Sequence, residues 1–137
     1  MFFPSYGLLD IYMKAWEYAN IQRRIEVISK KKVFVECSDQ AVFKDKMKRF
    51  RDEISEMKSG ANTGALLIGV CRGKLSEGID FSDDAARAVI VFGIPFPNYQ
   101  DPKVILKRHF LDSKKADATT AMSGMQWYQL EATRTVN

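Results

Sequence analysis

Histidine and cysteine are nearly missing from these 137 residues, which hold one of the first and two of the second. Cys37 and Cys71 form neither a CxxC pair nor a Cys/His cluster. A disulfide framework and a zinc site are thereby excluded, and both thiols read as free and buried. The lone His109 has no serine or cysteine near it in triad-like order, so packing or hydration is its expected role. Long hydrophobic runs are absent as well. The longest, Ala65 to Cys71, has strand length rather than the ~18–20 residues of a membrane span, so no membrane anchor is expected. The opening Met1-Phe2-Phe3-Pro4 lacks the basic and apolar regions of a secretory signal, which predicts an intracellular protein. Charge of one sign does not dominate: 21 Lys and Arg face 17 Asp and Glu, for a formal net charge of +4. That balance tolerates a polyanionic partner without demanding one, and any nucleic-acid contact must come from placed groups rather than a basic tail.

What is present is the composition of an ordinary globular domain, with 46% hydrophobic and 28% charged residues. The length suits one core and is too short for two. Phe2-Phe3 reads as the end of a strand, and Pro4-Ser5 as a strand-to-helix turn. Leu9, Met13 and Trp16 then recur at helical spacing, with Tyr12 alongside. Asn20 is expected to interrupt that helix. A second runs through Ile21, Ile25 and Ile28 to Lys30-Lys31-Lys32, whose cations suit a helix C-terminus. Val33-Phe34-Val35 is a short strand. Ser38 can cap the next helix, where Phe43, Met47, Phe50, Ile54 and Met57 repeat as one apolar stripe expected in the core. After a turn at Ser59 to Gly64, Ala65 to Cys71 and Ala88 to Phe92 are uninterrupted apolar strands. Such strands separated by helices indicate a parallel sheet covered on both faces. Asp101-Pro102 opens a further helix as N-cap and first helical residue, and Ser123-Gly124-Met125-Gln126 opens another with capping-box spacing. That last helix is expected to run to Asn137. Trp127 and Tyr128 could stack on bases, although their place in a capped helix makes at least one of them core.

Between the two apolar runs lies Arg72-Gly73-Lys74-Leu75-Ser76-Glu77-Gly78-Ile79-Asp80-Phe81-Ser82-Asp83-Asp84. Ligands of an open parallel sheet bind outside the carboxyl ends of its strands, where this loop begins. Its glycines would let the backbone approach a phosphate, to which Arg72, Lys74 and Ser76 could donate. Glu77 and Asp80 could accept from a ribose hydroxyl or orient a cation. A Walker A loop is excluded: Ile68 stands where the first glycine of G-x-x-x-x-G-K-[ST] belongs, and Leu75 where the magnesium-holding hydroxyl belongs.

In its order this segment, from Arg72 to Asp83, resembles motif V of the XPD-like branch of superfamily 2 DNA helicases. Phe2-Phe3-Pro4-Ser5-Tyr6 resembles motif IV of that family, and Gly93-Ile94-Pro95-Phe96-Pro97-Asn98 with Asp101-Pro102 its next signature. Ser123-Gly124-x-Gln126-Trp127-Tyr128 and Arg134-x-Val136-Asn137 follow in family order. Within the branch, the stretch from Val70 to Asp83 is most similar to the regulator-of-telomere-elongation helicases and their Fanconi-anaemia-type relatives.

The resemblance implies an α/β, RecA-like second helicase domain over residues 1–137, cut at both ends, in a monomeric nuclear parent. It implies ATP-dependent 5′-to-3′ movement on single-stranded or forked DNA. ATP and Mg2+ would be shared with a first RecA-like domain in cis. Ser5, Arg72, Gly73, Lys74 and Ser76 would contact nucleic acid, and Glu77, Gly78 and Asp80 would couple to nucleotide. The family's iron–sulfur cluster would belong to the parent and not to this chain, which lacks the four cysteines. With no Walker A loop, no DEAH-type acidic motif and no arginines of motif VI, residues 1–137 alone are expected not to hydrolyse ATP. The alternative is a non-catalytic nucleic-acid-binding module with a helicase-type fold.

Overall fold

Three short strands, β1 (Phe2–Phe3), β2 (Lys32–Val35) and β3 (Ala65–Val70), form a parallel sheet in the order β1-β3-β2. The computed structural model describes residues 1–57, 60, 62–78, 86–117 and 122–136. Phe2 lies opposite Gly69 and Phe3 opposite Val70, while Lys32 to Val35 face Ala65 to Ile68. The chain divides into two compact units, Met1–Phe92 and Gly93–Asn137.

In the first unit the period of two along β3 separates two apolar clusters. Ile68 and Val70 pack with Phe3 and with Leu9, Met13 and Trp16 of α1 (Tyr6–Tyr18). On the other face, Ala65 and Leu67 pack with Phe34 and with Phe43, Met47, Phe50 and Ile54 of α3 (Gln40–Met57). Helices therefore cover both faces, and the expected stripe of α3 is core. Asn20, at φ 52°, separates α1 from α2 (Ile21–Ser29).

Local chemistry corrects three boundaries here. Asp39 rather than Ser38 caps α3, because its Oδ1 accepts from the amides of Ala41 at 2.8 Å and Val42 at 3.0 Å. The lysine run lies past α2: Lys30 closes the helix in the left-handed region, Lys31 donates to the Thr63 carbonyl, and Lys32 belongs to β2. The expected strand Ala88 to Phe92 is reduced to an isolated parallel bridge of Val91 with Phe2. Its hydrogen bonds are Phe2 N to Ile90 O at 2.7 Å and Phe92 N to Phe2 O at 2.8 Å. A ladder extends only as far as its neighbouring strand does. The neighbouring β1 offers only two residues, and Val89 and Ile90 remain exposed.

The second unit pairs α5 (Pro102–Asp117) with α6 (Gly124–Arg134). Asp101 caps α5 by accepting from the Lys103 amide at 2.8 Å. Ser123 and Gln126 form a reciprocal capping box on α6. A Cβ at Gly124 would lie 2.5 Å from the Arg108 carbonyl oxygen, so glycine permits the close helix crossing. Tyr128 is buried, stacks on Phe96 and donates to the Pro97 carbonyl at 2.8 Å. It is the core member of the aromatic pair, whereas Trp127 is half-buried and His109 exposed. Helix α6 ends at Arg134 rather than at Asn137, which lies outside the described residues.

Candidate functional site

Because β1, β2 and β3 are parallel, their carboxyl ends share one edge of the sheet, and three chain segments leave it side by side. From β1, Pro4 and Ser5 lead into α1. The exposed Ser5 is the N-cap, in extended conformation, and its Oγ accepts from the Leu8 amide at 3.2 Å. From β3, the chain turns sharply through Cys71, Arg72 and Gly73 into the short helix α4 (Lys74–Gly78). Arg72 takes φ 61°, a left-handed conformation costing about 1–2 kcal/mol for a side-chain-bearing residue. The Gly73 amide closes the turn by donating to the Val70 carbonyl at 3.0 Å.

The sequence alone suggests a loop at Lys74 to Gly78, whereas the chain forms a helical turn there. Leu75 explains the difference. It is fully buried against Phe34, Met47 and Phe50, and a helical turn delivers it there while Arg72, Lys74 and Ser76 stay exposed. Lys74 donates its ammonium to the Ser38 carbonyl at 2.5 Å, and Ser76 Oγ donates to the Gly73 carbonyl at 3.0 Å. Glu77 and Gly78 close α4, and Asp80 lies outside the described residues.

From β2, the third segment brings a residue that sequence reasoning missed. Glu36 is 6% exposed. Its amide donates to the Ile68 carbonyl at 2.8 Å, one step beyond the β2–β3 ladder. Its carboxylate accepts from the Val70 amide through Oε2 at 2.9 Å and from the Tyr6 hydroxyl through Oε1 at 2.8 Å. In a continued parallel ladder the Glu36 carbonyl would take the Val70 amide. Here the side chain does so, which frees the backbone to turn away at Cys37. All that the sequence offers is an acid directly after Val33-Phe34-Val35, a pattern it shares with acids that face water.

Two glycines make room for this carboxylate. A Cβ at Gly69 would lie 2.7 Å from Glu36 Oε2 and 2.4 Å from Leu75 Cδ2. One at Gly73 would lie 2.9 Å from Glu36 Oε1 and 3.2 Å from the Tyr6 hydroxyl oxygen. The start of α1 and the Arg72–Gly73 turn thus meet around one acid. Burial, and after it the hydrogen bond and charge of Glu36, push the Tyr6 phenol up to about 12. Burial likewise raises the Cys71 thiol, so it stays protonated. A separate, mainly apolar cavity of about 480 Å³ is lined by Trp16, Phe50, Ile54 and Leu67, with Lys31 and Arg87 among its polar neighbours.

The helicase C-terminal domain family matches residues 1–137. The chain belongs to that family. This helicase C-terminal domain is 44% identical, over its whole length, to a regulator of telomere elongation helicase 1 homolog of Drosophila ananassae. The corresponding Drosophila yakuba protein is 43% identical and that of Drosophila persimilis 42%, again over the whole chain. The domain spans 13% of the length of each of these relatives. Its three parallel strands and flanking helices are those of an α/β RecA-like fold, and the segments at the sheet edge are the ones that resemble motifs IV and V. Among the described residues no helix is long and apolar enough to cross a membrane.

Proposed function

We propose that this domain is the second RecA-like half of an ATP-dependent, 5′-to-3′ DNA helicase that acts in the nucleus. In this role it completes the ATP cleft and contacts single-stranded DNA, and the whole protein opens forked DNA as a monomer. The reading is carried by the placement of the Ser5 turn and the Arg72–Ser76 turn at one sheet edge, held around Glu36. Ser5, Arg72, Gly73, Lys74 and Ser76 would meet the DNA backbone. Glu77, Gly78 and Asp80 would face nucleotide and its Mg2+.

The described residues do not by themselves fit a triphosphate. The Gly73 amide and the Ser76 hydroxyl proton are engaged with the chain's own carbonyls, and the Lys74 ammonium, which gives one of its three donors to the Ser38 carbonyl, is a single cation rather than a cradle. In this reading the phosphate cradle would come from a first RecA-like domain in cis, and any iron–sulfur cluster from a further part of the parent.

Phosphate contact predicts salt dependence. Single-strand affinity of the full-length protein should fall with salt, and Arg72→Ala with Lys74→Ala should flatten that log–log slope by about 0.7 for each phosphate no longer neutralised. An unchanged slope in the double variant would remove these residues from the DNA interface.

A further inference from the structure

We infer that Glu36 is a positioning residue that couples the Arg72–Gly73 turn to the start of α1. Through it, a change in the motif V turn would reach the motif IV turn that carries Ser5. This inference rests on the helicase function proposed above.

The geometry is that of a shared strut. One carboxylate oxygen holds the amide of Val70, the last residue of β3 before the turn, and the other holds Tyr6, the first residue of α1. No ion pair to Glu36 is found among the described residues, so this buried acid is satisfied by one backbone amide and one phenol. A carboxylate that only completed the β2–β3 ladder would need the Val70 bond alone. The second bond crosses to a different element, and Gly69 and Gly73 both leave space for the acid on its way there. Tyr6 lies next to Ser5, and the turn holding Arg72 begins just after Val70, so a shift in either segment alters the acid's contacts with the other. Ser5 itself touches neither Glu36 nor Tyr6 by a described hydrogen bond. Its position follows that of α1, which it caps.

Tyr6→Phe removes the cross-element bond while keeping the ring, and Glu36→Met keeps an unbranched side chain of similar length but can accept neither bond well. In the full-length protein both variants should lower the length of DNA unwound per ATP hydrolysed by about threefold, the scale of coupling carried by one packed contact. The double variant should show little further loss. This ratio is insensitive to the fraction of protein folded, which separates positioning from mere support. Glu53→Gln, at the other buried acid, serves as the control and should lower the melting temperature without moving the ratio. If Tyr6→Phe and Glu36→Met lower the melting temperature but leave the ratio at the wild-type value, the inference is overturned and Glu36 is structural. If the wild-type protein itself shows no DNA-stimulated ATP hydrolysis, the proposed helicase function falls and the inference falls with it.

Discussion

Glu36 and Glu53 are both buried carboxylates, at 6% and 5% exposure, and they solve the cost of burial differently. Glu53 pairs with the Lys32 ammonium at 2.5 Å and accepts from the Asn62 side-chain amide at 2.9 Å, and the carboxylate in turn raises the Lys32 pKa. Glu36 relies on neutral donors, and its effect appears on Tyr6. A phenol raised to about 12 in the folded protein binds its proton more tightly there than in the unfolded chain. The stabilisation is fully present below the ordinary phenol pKa of about 10 and is lost as pH rises through about 12. Ultraviolet phenolate titration of the wild type minus Tyr6→Phe should therefore show one late-titrating tyrosine. An ordinary midpoint would mean that the Glu36 contact is absent in solution. At this scale the exposed candidates were legible, because Arg72, Lys74 and Ser76 alternate with glycine and leucine in a recognisable order. Glu36 was not legible, since an acid after three apolar residues has the same appearance whether it faces water or holds a strand-end amide and a phenol.

Among the elements, β3 and α4 are joined by a close fit at Gly69, which leaves no room for a methyl group between Leu75 Cδ2 and Glu36 Oε2. Gly69→Ala should therefore destabilise the protein by about 1–3 kcal/mol, the usual penalty for overpacking, as read by denaturant unfolding. A neutral outcome would mean that α4 moves aside easily. Caps were legible where one residue type could serve, as at Asp101 and Ser123. At Ser38-Asp39 two capping residues stand side by side, and only the carboxylate geometry decides for Asp39. The short α4 was hidden because its cause, the burial of Leu75, comes from residues of β2 and α3 far away in the chain. The strand at Ala88 to Phe92 was over-read for the converse reason. Its apolar side chains suit a strand, but pairing depends on a neighbour that is two residues long.

For the molecule as a whole, the match to the helicase C-terminal domain family extends across all 137 residues, yet these make up 13% of the relatives' length. Phosphoryl transfer needs a cradle, a metal and a charge-stabilising arginine assembled together. Residues 1–137 alone should accordingly show no appreciable DNA-stimulated ATP hydrolysis, whereas the full-length protein should turn over. Robust turnover by the isolated chain would overturn this division of labour. Periodicity, capping chemistry and motif order are all local along the chain. The order of amino acids was therefore enough to give the α/β class, the helices on both faces of a parallel sheet and the family. Folding in three dimensions was needed to bring the start of α1 and the Arg72–Gly73 turn together around Glu36, to turn the loop at Leu75 into a helix, and to limit Val91 to one bridge. Each of those depends on groups brought together from distant positions, where burial and unpaired hydrogen-bonding groups set the energy.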